Sequence, residues 1–318
     1  MAYLTGTVTI GSNWATDQST SMDSALTSNG WTFVYGVTVS TSVYKVYRSP
    51  AASNIQGADL YFATRITSGT TFSYTIFETW DNGNLLAGNY PPSSNNVVPN
   101  ANGTHSGVPV VISSASILWE NLNTLSAATY TYHININGNR AIFAYYNLTG
   151  TAQQNALYVG LHTPLSANSF PLIAIRLDTG SASSASTSEG LITREMINSA
   201  GTSNWNIQMP YGTSYASSAG NTSYGLNSSS ASSLSYSFPI GSYPTSRVAF
   251  CASAVQRILG GASEVKNGVL FDLVSNYNGV NTRLGGDTLA VTAGETTYNY
   301  VKMQTSSAAF SVPWMPTF

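Results

Sequence analysis

The sequence predicts an all-β protein, with a jelly-roll-like β-sandwich in its N-terminal part and a second β-rich part after it. Three observations carry that expectation. Runs of four to eight β-branched or aromatic residues recur along the chain, each bounded by Gly, Asn, Ser or Pro. Helical periodicity is scarce. Ser (46), Thr (36), Asn (28) and Tyr (20) dominate the composition, which suits strands and turns better than helices. A length of 318 residues allows one large or two ordinary domains. Composition shifts near Asp178, where a Ser/Thr-rich segment begins, so the expected units are a β-sandwich over 1–178 and a β-rich assembly unit over 179–318.

The predicted strands follow in order. Trp31 to Val39, Val43 to Tyr47, Ala58 to Ile66 and Phe72 to Trp80 come first. In the last of these, Tyr74, Ile76, Glu78 and Trp80 share one face and Thr75, Phe77 and Thr79 the other. Tyr130 to Ile136 and Arg140 to Tyr146 flank Asn137-Gly138, a strong hairpin signal. Leu157 to Leu161 and Leu172 to Leu177 complete the first part. Glu189 to Asn198 reads as a short helix, and Val248 to Leu259 fits strand and helix equally. Asp81 to Ser116 is a long connection containing Pro91, Pro92, Pro99 and Pro109. Thr213 to Ser237 is strongly biased to one residue type, with 11 Ser among its 25 positions, and is expected to be held by neighbouring chains or, as the alternative, by packing on its own domain.

Charge excludes several classes of function. Lys, Arg, Asp and Glu make up 8% of the chain, against roughly 25% in ordinary soluble proteins, and the net charge is −2. There is no basic stripe to displace counterions from nucleic acid. No polybasic or amphipathic segment suits a membrane surface, and no apolar run approaches the ~20 residues that span a bilayer. The first basic residue is Lys45, so the first 30 residues lack the positive region of a secretory signal, and the chain reads as a cytoplasmic product.

Catalytic chemistry has few residues to use. Glu78 and Asp81 are the only close carboxylate pair of note, but at a strand end positions three apart point to opposite faces. His105, His133 and His162 lie in separate segments, and Cys251 is the single cysteine, so neither a zinc site nor an internal disulfide is expected. No nucleophile elbow, phosphate loop or dinucleotide fingerprint occurs. The expectation is a non-enzymatic protein with no cofactor and no metal. Trp31, Tyr35, Tyr44, Tyr47, Tyr61, Phe62, Tyr74, Phe77 and Trp80 crowd the N-terminal half. Most are expected in a core; on an exposed face they would stack on sugar rings or line a protein interface.

Three stretches carry a resemblance. Lys45-Val46-Tyr47-Arg48-Ser49 within the aromatic segment Tyr44 to Pro50, then Ala58 to Phe62, then Phe77-Glu78-Thr79-Trp80-Asp81 are similar to segments of virion structural proteins of tailed bacteriophages. Arg140 to Tyr146 and Tyr158 to Pro164 continue the similarity, which covers about the first 175 residues. The resemblance implies a particle component of the tail or adsorption apparatus, assembled in the host cytoplasm and residing in the virion. It implies other virion proteins and copies of the same chain as partners, and no catalytic residues. A carbohydrate- or receptor-binding β-sandwich module of a phage tail, with a host surface glycan as ligand, is the alternative.

The C-terminal sequence Phe310 to Phe318 contains Pro313 and Pro316, which rule out a helix and disfavour a central strand. Its apolar residues Val312, Trp314, Met315 and Phe318 are costly to leave in water. They are the expected assembly residues, on an extended arm that either reaches a neighbouring subunit or folds back on its own domain.

Overall fold

A computed structural model describes residues 2–50, 60–77, 79–81, 86–88, 98–99, 105–106, 108–109, 119–122, 124–147, 154–161, 163–164, 172–176, 191–193, 204–208, 215–217, 238–242, 248–257, 264–276, 286–293, 295–302 and 314–317. In chain order these build β1 (Ala2–Ile10), α1 (Trp14–Ser28), β2 (Thr32–Val39), β3 (Ser42–Arg48), β4 (Tyr61–Thr67) and β5 (Thr71–Phe77). Short strands follow: β6 (Thr79–Asp81), β7 (Leu86–Gly88), β8 (Val98–Pro99), β9 (His105–Ser106), β10 (Val108–Pro109) and β11 (Glu120–Asn121). Next come β12 (Ala128–Asn137), β13 (Arg140–Tyr146), β14 (Gln154–Leu161), β15 (Thr163–Pro164), β16 (Leu172–Arg176) and β17 (Leu191–Thr193). The remainder are β18 (Asn204–Gln208), β19 (Tyr215–Ser217), β20 (Phe238–Ser242), β21 (Val248–Arg257), β22 (Glu264–Asn276), β23 (Thr288–Ala293), β24 (Thr296–Lys302) and β25 (Trp314–Pro316). The architecture is all-β, with α1 the one helix among the described residues.

Two large antiparallel sheets dominate the N-terminal part, beside a three-stranded sheet in the order β10-β7-β6 and the two-stranded pair β8-β9. One has six strands in the order β1-β12-β13-β14-β16-β17, the other five in the order β11-β5-β4-β3-β2. Both run largely as meanders, not as the interleaved strands of a jelly roll. Period-2 alternation turns Ile134, Ile136, Phe143, Tyr145, Leu157 and Val159 to the inner face of the first sheet. Phe62, Ile66, Phe72, Tyr74 and Ile76 do the same in the second, and one apolar cluster joins both faces with Trp14, Met22 and Leu26 of α1. The two sheets and the helix therefore share a core, as in a sandwich.

The helix was not legible as one. Its buried positions, 14, 15, 18, 19, 22, 25 and 26, repeat with helical spacing, but Gln and Ser fill 18 and 19. Its first turn is held by the β4–β5 turn, where the Gly69 carbonyl accepts from Ala15 N–H at 3.0 Å, and its last by Asn29, whose Nδ2 donates to the Ala25 carbonyl at 2.7 Å. Gly30, at φ +90°, then turns the chain into β2.

Other expectations shift by small amounts. The β12–β13 hairpin is present, but its two loop residues are Gly138 and Asn139, with positive φ at Gly138, because Asn137 already pairs with Arg140. Residues 248–257 are strand β21. The helix expected over Glu189 to Asn198 is not formed at Leu191–Thr193, which pair with β16 as strand β17. Sheet pairing also crosses residue 178 in both directions: β17 extends the N-terminal sheet, and β15 pairs with β22 of the C-terminal unit.

The C-terminal unit is a nine-stranded sheet in the order β15-β22-β25-β24-β23-β20-β21-β18-β19, in which β21 also pairs with β22. That extra pairing closes β22, β25, β24, β23, β20 and β21 into a six-membered ring. β25 is thus flanked on both sides, by Val274 opposite Trp314 and by Val301 opposite Met315. This corrects the expectation against a central strand. Pro316 is tolerated because it ends a three-residue strand, and its carbonyl is taken by Asn135 Nδ2 at 3.0 Å. The same bond sets the C-terminal unit against the outer face of the six-stranded sheet.

Candidate functional site

The sequence-predicted assembly residues separate on inspection. Trp314 and Met315 lie in β25, and Met315 is fully buried within its own chain. Residues 314–317 therefore fold back on the chain. Val312 and Phe318 lie outside the described residues, as do Glu78, Asp59, His162 and the Ser-rich stretch apart from β19. Asp81 ends β6, His105 opens β9, and Glu120 of β11 pairs with Tyr74. Cys251 lies in β21, opposite Val274.

Three clusters bring chemically capable side chains together. The first joins α1 to β3. Lys45 and Tyr47 are two residues apart on β3 and so share the face beneath the helix. The Lys45 ammonium and the Tyr47 hydroxyl both bond the Asp23 carboxylate, and Lys45 Nζ also donates to Ser19 Oγ at 3.3 Å. Side chains of Asp23 and Lys45 are each 24% exposed. Burial, and then the charge of Asp23, push the Tyr47 hydroxyl far above its ordinary pKa, so it remains a donor. One residue pair further, Ser21 and Tyr145 share a hydroxyl bond of 3.0 Å, which ties the same helix to β13.

The second cluster is centred on His133, which faces the outer side of the six-stranded sheet. Tyr3 of β1 bonds Nδ1 at 2.6 Å, and Tyr146 of β13 bonds Nε2 at 2.9 Å. Both phenol rings lie nearly parallel to the imidazole, at 9° and 20°. Gly286, at φ +88°, comes so close that a Cβ there would stand 2.4 Å from the Tyr146 hydroxyl. Burial depresses the His133 pKa to about 4 and, with the nearby charges of Tyr3 and Asp287, lifts that of Tyr146 to about 12. A neutral imidazole then accepts from one tyrosine and donates to the other.

The third cluster covers the outer face of the five-stranded sheet. Arg65 of β4 lies over the Trp119 ring, 4.9 Å from its centroid, and donates to Ser73 Oγ at 3.3 Å. Ser73 in turn donates to Asn121 Oδ1 at 2.6 Å. Tyr44 meets Trp119 edge-on at 6.1 Å, and Tyr35 packs on Trp80 at 5.6 Å. These four aromatic side chains are half-buried, whereas Trp31, Tyr47, Tyr61, Phe62 and Tyr74 are core, as expected of most of the group.

Sequence reasoning missed Asp23 because it missed the helix that carries it; the Lys45-x-Tyr47 spacing was the available signal. Among the described residues, no group of three His, Cys, Asp or Glu side chains converges as a metal would require. No described helix is long and apolar enough to cross a membrane. No protein-family model matches the chain, and no curated protein matches it.

Proposed function

We propose that this chain is a non-enzymatic structural component of a tailed-bacteriophage virion, part of the tail or adsorption apparatus, that acts by assembling with other virion proteins and with copies of itself. The observation that supports this reading most is the way its reactive groups are used. His133 is bonded at both ring nitrogens, and Asp23 is bonded by Lys45 and Tyr47, so each closes an internal joint between elements of the fold. A general base needs a free lone pair within reach of a substrate proton, and His133 holds neither nitrogen free. The low charge of the chain favours permanent docking over electrostatically steered encounter.

Two measurements test the reading. Antibody raised against the purified chain is applied to phage particles from the source lysate, and labelling at the tail is expected; particles that never label overturn the virion assignment. Purified protein is also incubated with bacterial surface polysaccharide and reducing ends are counted. No release is expected, and turnover lost in Glu78→Gln or Asp81→Asn replaces the structural reading with a glycosidase.

The alternative, a carbohydrate- or receptor-binding tail module, draws support from the outer aromatic layer. Trp119 lies against the guanidinium of Arg65 with Tyr44 edge-on to it, and Tyr35 packs on Trp80; such half-buried aromatic rings and a guanidinium can stack on sugars and bond their hydroxyls. Glycan binding lost in Trp80→Ala, with the fold retained, selects this second reading.

A further inference from the structure

The side of the sandwich formed by β1, α1 and β2 carries almost no charge. Between Ala2 and Tyr44 the only side chains charged at neutral pH are Asp17 and Asp23. Both are engaged, Asp17 with the Gly11 N–H at 2.7 Å and Asp23 with Lys45 and Tyr47. The exposed face of α1 is a row of hydroxyls: Thr16, Thr20, Ser24 and Thr27. At the border of this side, β2 is the edge of the five-stranded sheet, paired among the described residues with β3 alone. Natural edges are blunted by Lys, Pro or inward-pointing charge. Thr32–Val39 has none of these; its one β-bulge, a further protective device, lies toward its start, between Phe33 and Tyr35.

The alternation of the ladder fixes which backbone groups are open. Val39 and Ser42 flank a two-residue turn and exchange bonds across it. Counting back, Val37 and Tyr35 also aim their N–H and C=O groups at β3, and Gly36 and Thr38 aim theirs outward. A register shift between Phe33 and Tyr35 ends the regular stretch on the other side. The open stretch is therefore Tyr35 to Val39, centred on Val37.

We propose that β2 pairs antiparallel with β2 of a second copy of this chain, about a two-fold axis through Val37. In that register Gly36 of each copy faces Thr38 of the other and exchanges both backbone bonds with it, while the two Val37 side chains meet between them. Tyr35 stands opposite Val39 of the second copy. The occupant is the chain itself because this pairing covers the two large hydrophobic side chains exposed among the described residues, Phe33 at 50% and Val39 at 42%. Val39 receives the second copy's Tyr35. The Phe33 ring lies over Gly36, where a Cβ would come within 2.7 Å of it, and so receives the second copy's Thr38 methyl. No charge opposes another across the axis. The strand β1 is also charge-free at an edge, but no large exposed hydrophobic side chain lies on it. This inference deepens the self-assembly part of the proposed function and rests on β2 alone, so it stands or falls independently of particle labelling.

Sedimentation velocity of the full chain at micromolar concentration is expected to give twice the 33.6 kDa of one copy. Val37→Lys places like charges opposite each other and is expected to weaken dimerisation about tenfold or more, with unchanged circular dichroism. Register is read by crosslinking in a Cys251→Ser background. Val37→Cys faces its own copy and is expected to form a disulfide dimer on mild oxidation, whereas Tyr35→Cys faces Val39 and is not. A monomeric wild-type chain, a dimer that Val37→Lys leaves intact, or Tyr35→Cys crosslinking as readily as Val37→Cys overturns the proposal.

Discussion

Gln18 of α1 and Asn155 of β14 face each other across the core and exchange two amide hydrogen bonds, each 2.9 Å long. Both residues are buried, at 0% and 1% exposure, so these two bonds stand in place of bonds to water. Replacing Gln18 with Leu removes both of these bonds from the buried Asn155 amide and is expected to cost about 1–3 kcal/mol in urea unfolding. Leu at both positions is expected to recover most of that loss, since two apolar groups need no partner. Equal destabilisation by the single and double variants would show that packing volume, not amide pairing, sets the stability here.

The Asp23–Lys45 pair at the helix–sheet joint predicts a coupling energy. Each side chain is partly screened by solvent, so the pair is worth less than a fully buried one. A double-mutant cycle with Asp23→Asn and Lys45→Met is expected to give a coupling of about 1–2 kcal/mol. Raising salt to 1 M is expected to shrink it only in part, because the pair lies beneath a helix.

His133 predicts an acid sensitivity of defined sign. Its folded pKa is lowered to about 4, whereas the unfolded imidazole titrates near the ordinary histidine value of about 6.5. Between those values the unfolded chain binds the extra proton, so stability is full above pH 6.5 and falls as pH drops toward 4, by at most about 3 kcal/mol. His133→Gln is expected to flatten the melting-temperature slope in that window, and an unchanged slope assigns the sensitivity to other groups.

Met315 decides between an arm and a stave. With β25 closing the ring, Met315→Ala is expected to cost about 2–5 kcal/mol, and a chain truncated after Phe310 is expected to lose cooperative melting of the C-terminal unit. A truncated chain that melts like the full one but no longer oligomerises restores the arm that the sequence suggested.

Trp80 is expected to behave as a partly buried residue packed on Tyr35. Trp80→Ala is expected to cost about 1.5–3 kcal/mol, below the 3–5 of a fully buried tryptophan. Unchanged melting would place the ring outside the packed layer and strengthen the carbohydrate alternative.

The sequence by itself determined the all-β class, most strands of the N-terminal sheets, the hairpin at Gly138 and the poverty of charge. These are local properties: period-2 alternation, β-branched runs and turn residues act within a few positions of one another. Tertiary structure alone decided the rest. The helix Trp14–Ser28 buries Gln18 and Ser19, polar residues that become buriable only because Asn155 and Lys45 meet them from other elements. His133 reads in sequence as a pleat residue beside Tyr or solvent; only the pairing of β1, β12 and β13 places Tyr3 and Tyr146 on its two nitrogens. Likewise Trp314 to Pro316 look like a loose extended tail, because the strands that flank them lie about 15 and 40 residues away in sequence. Partners at that separation leave no periodic trace in the segment they hold, so their effect emerges only when the chain closes on itself.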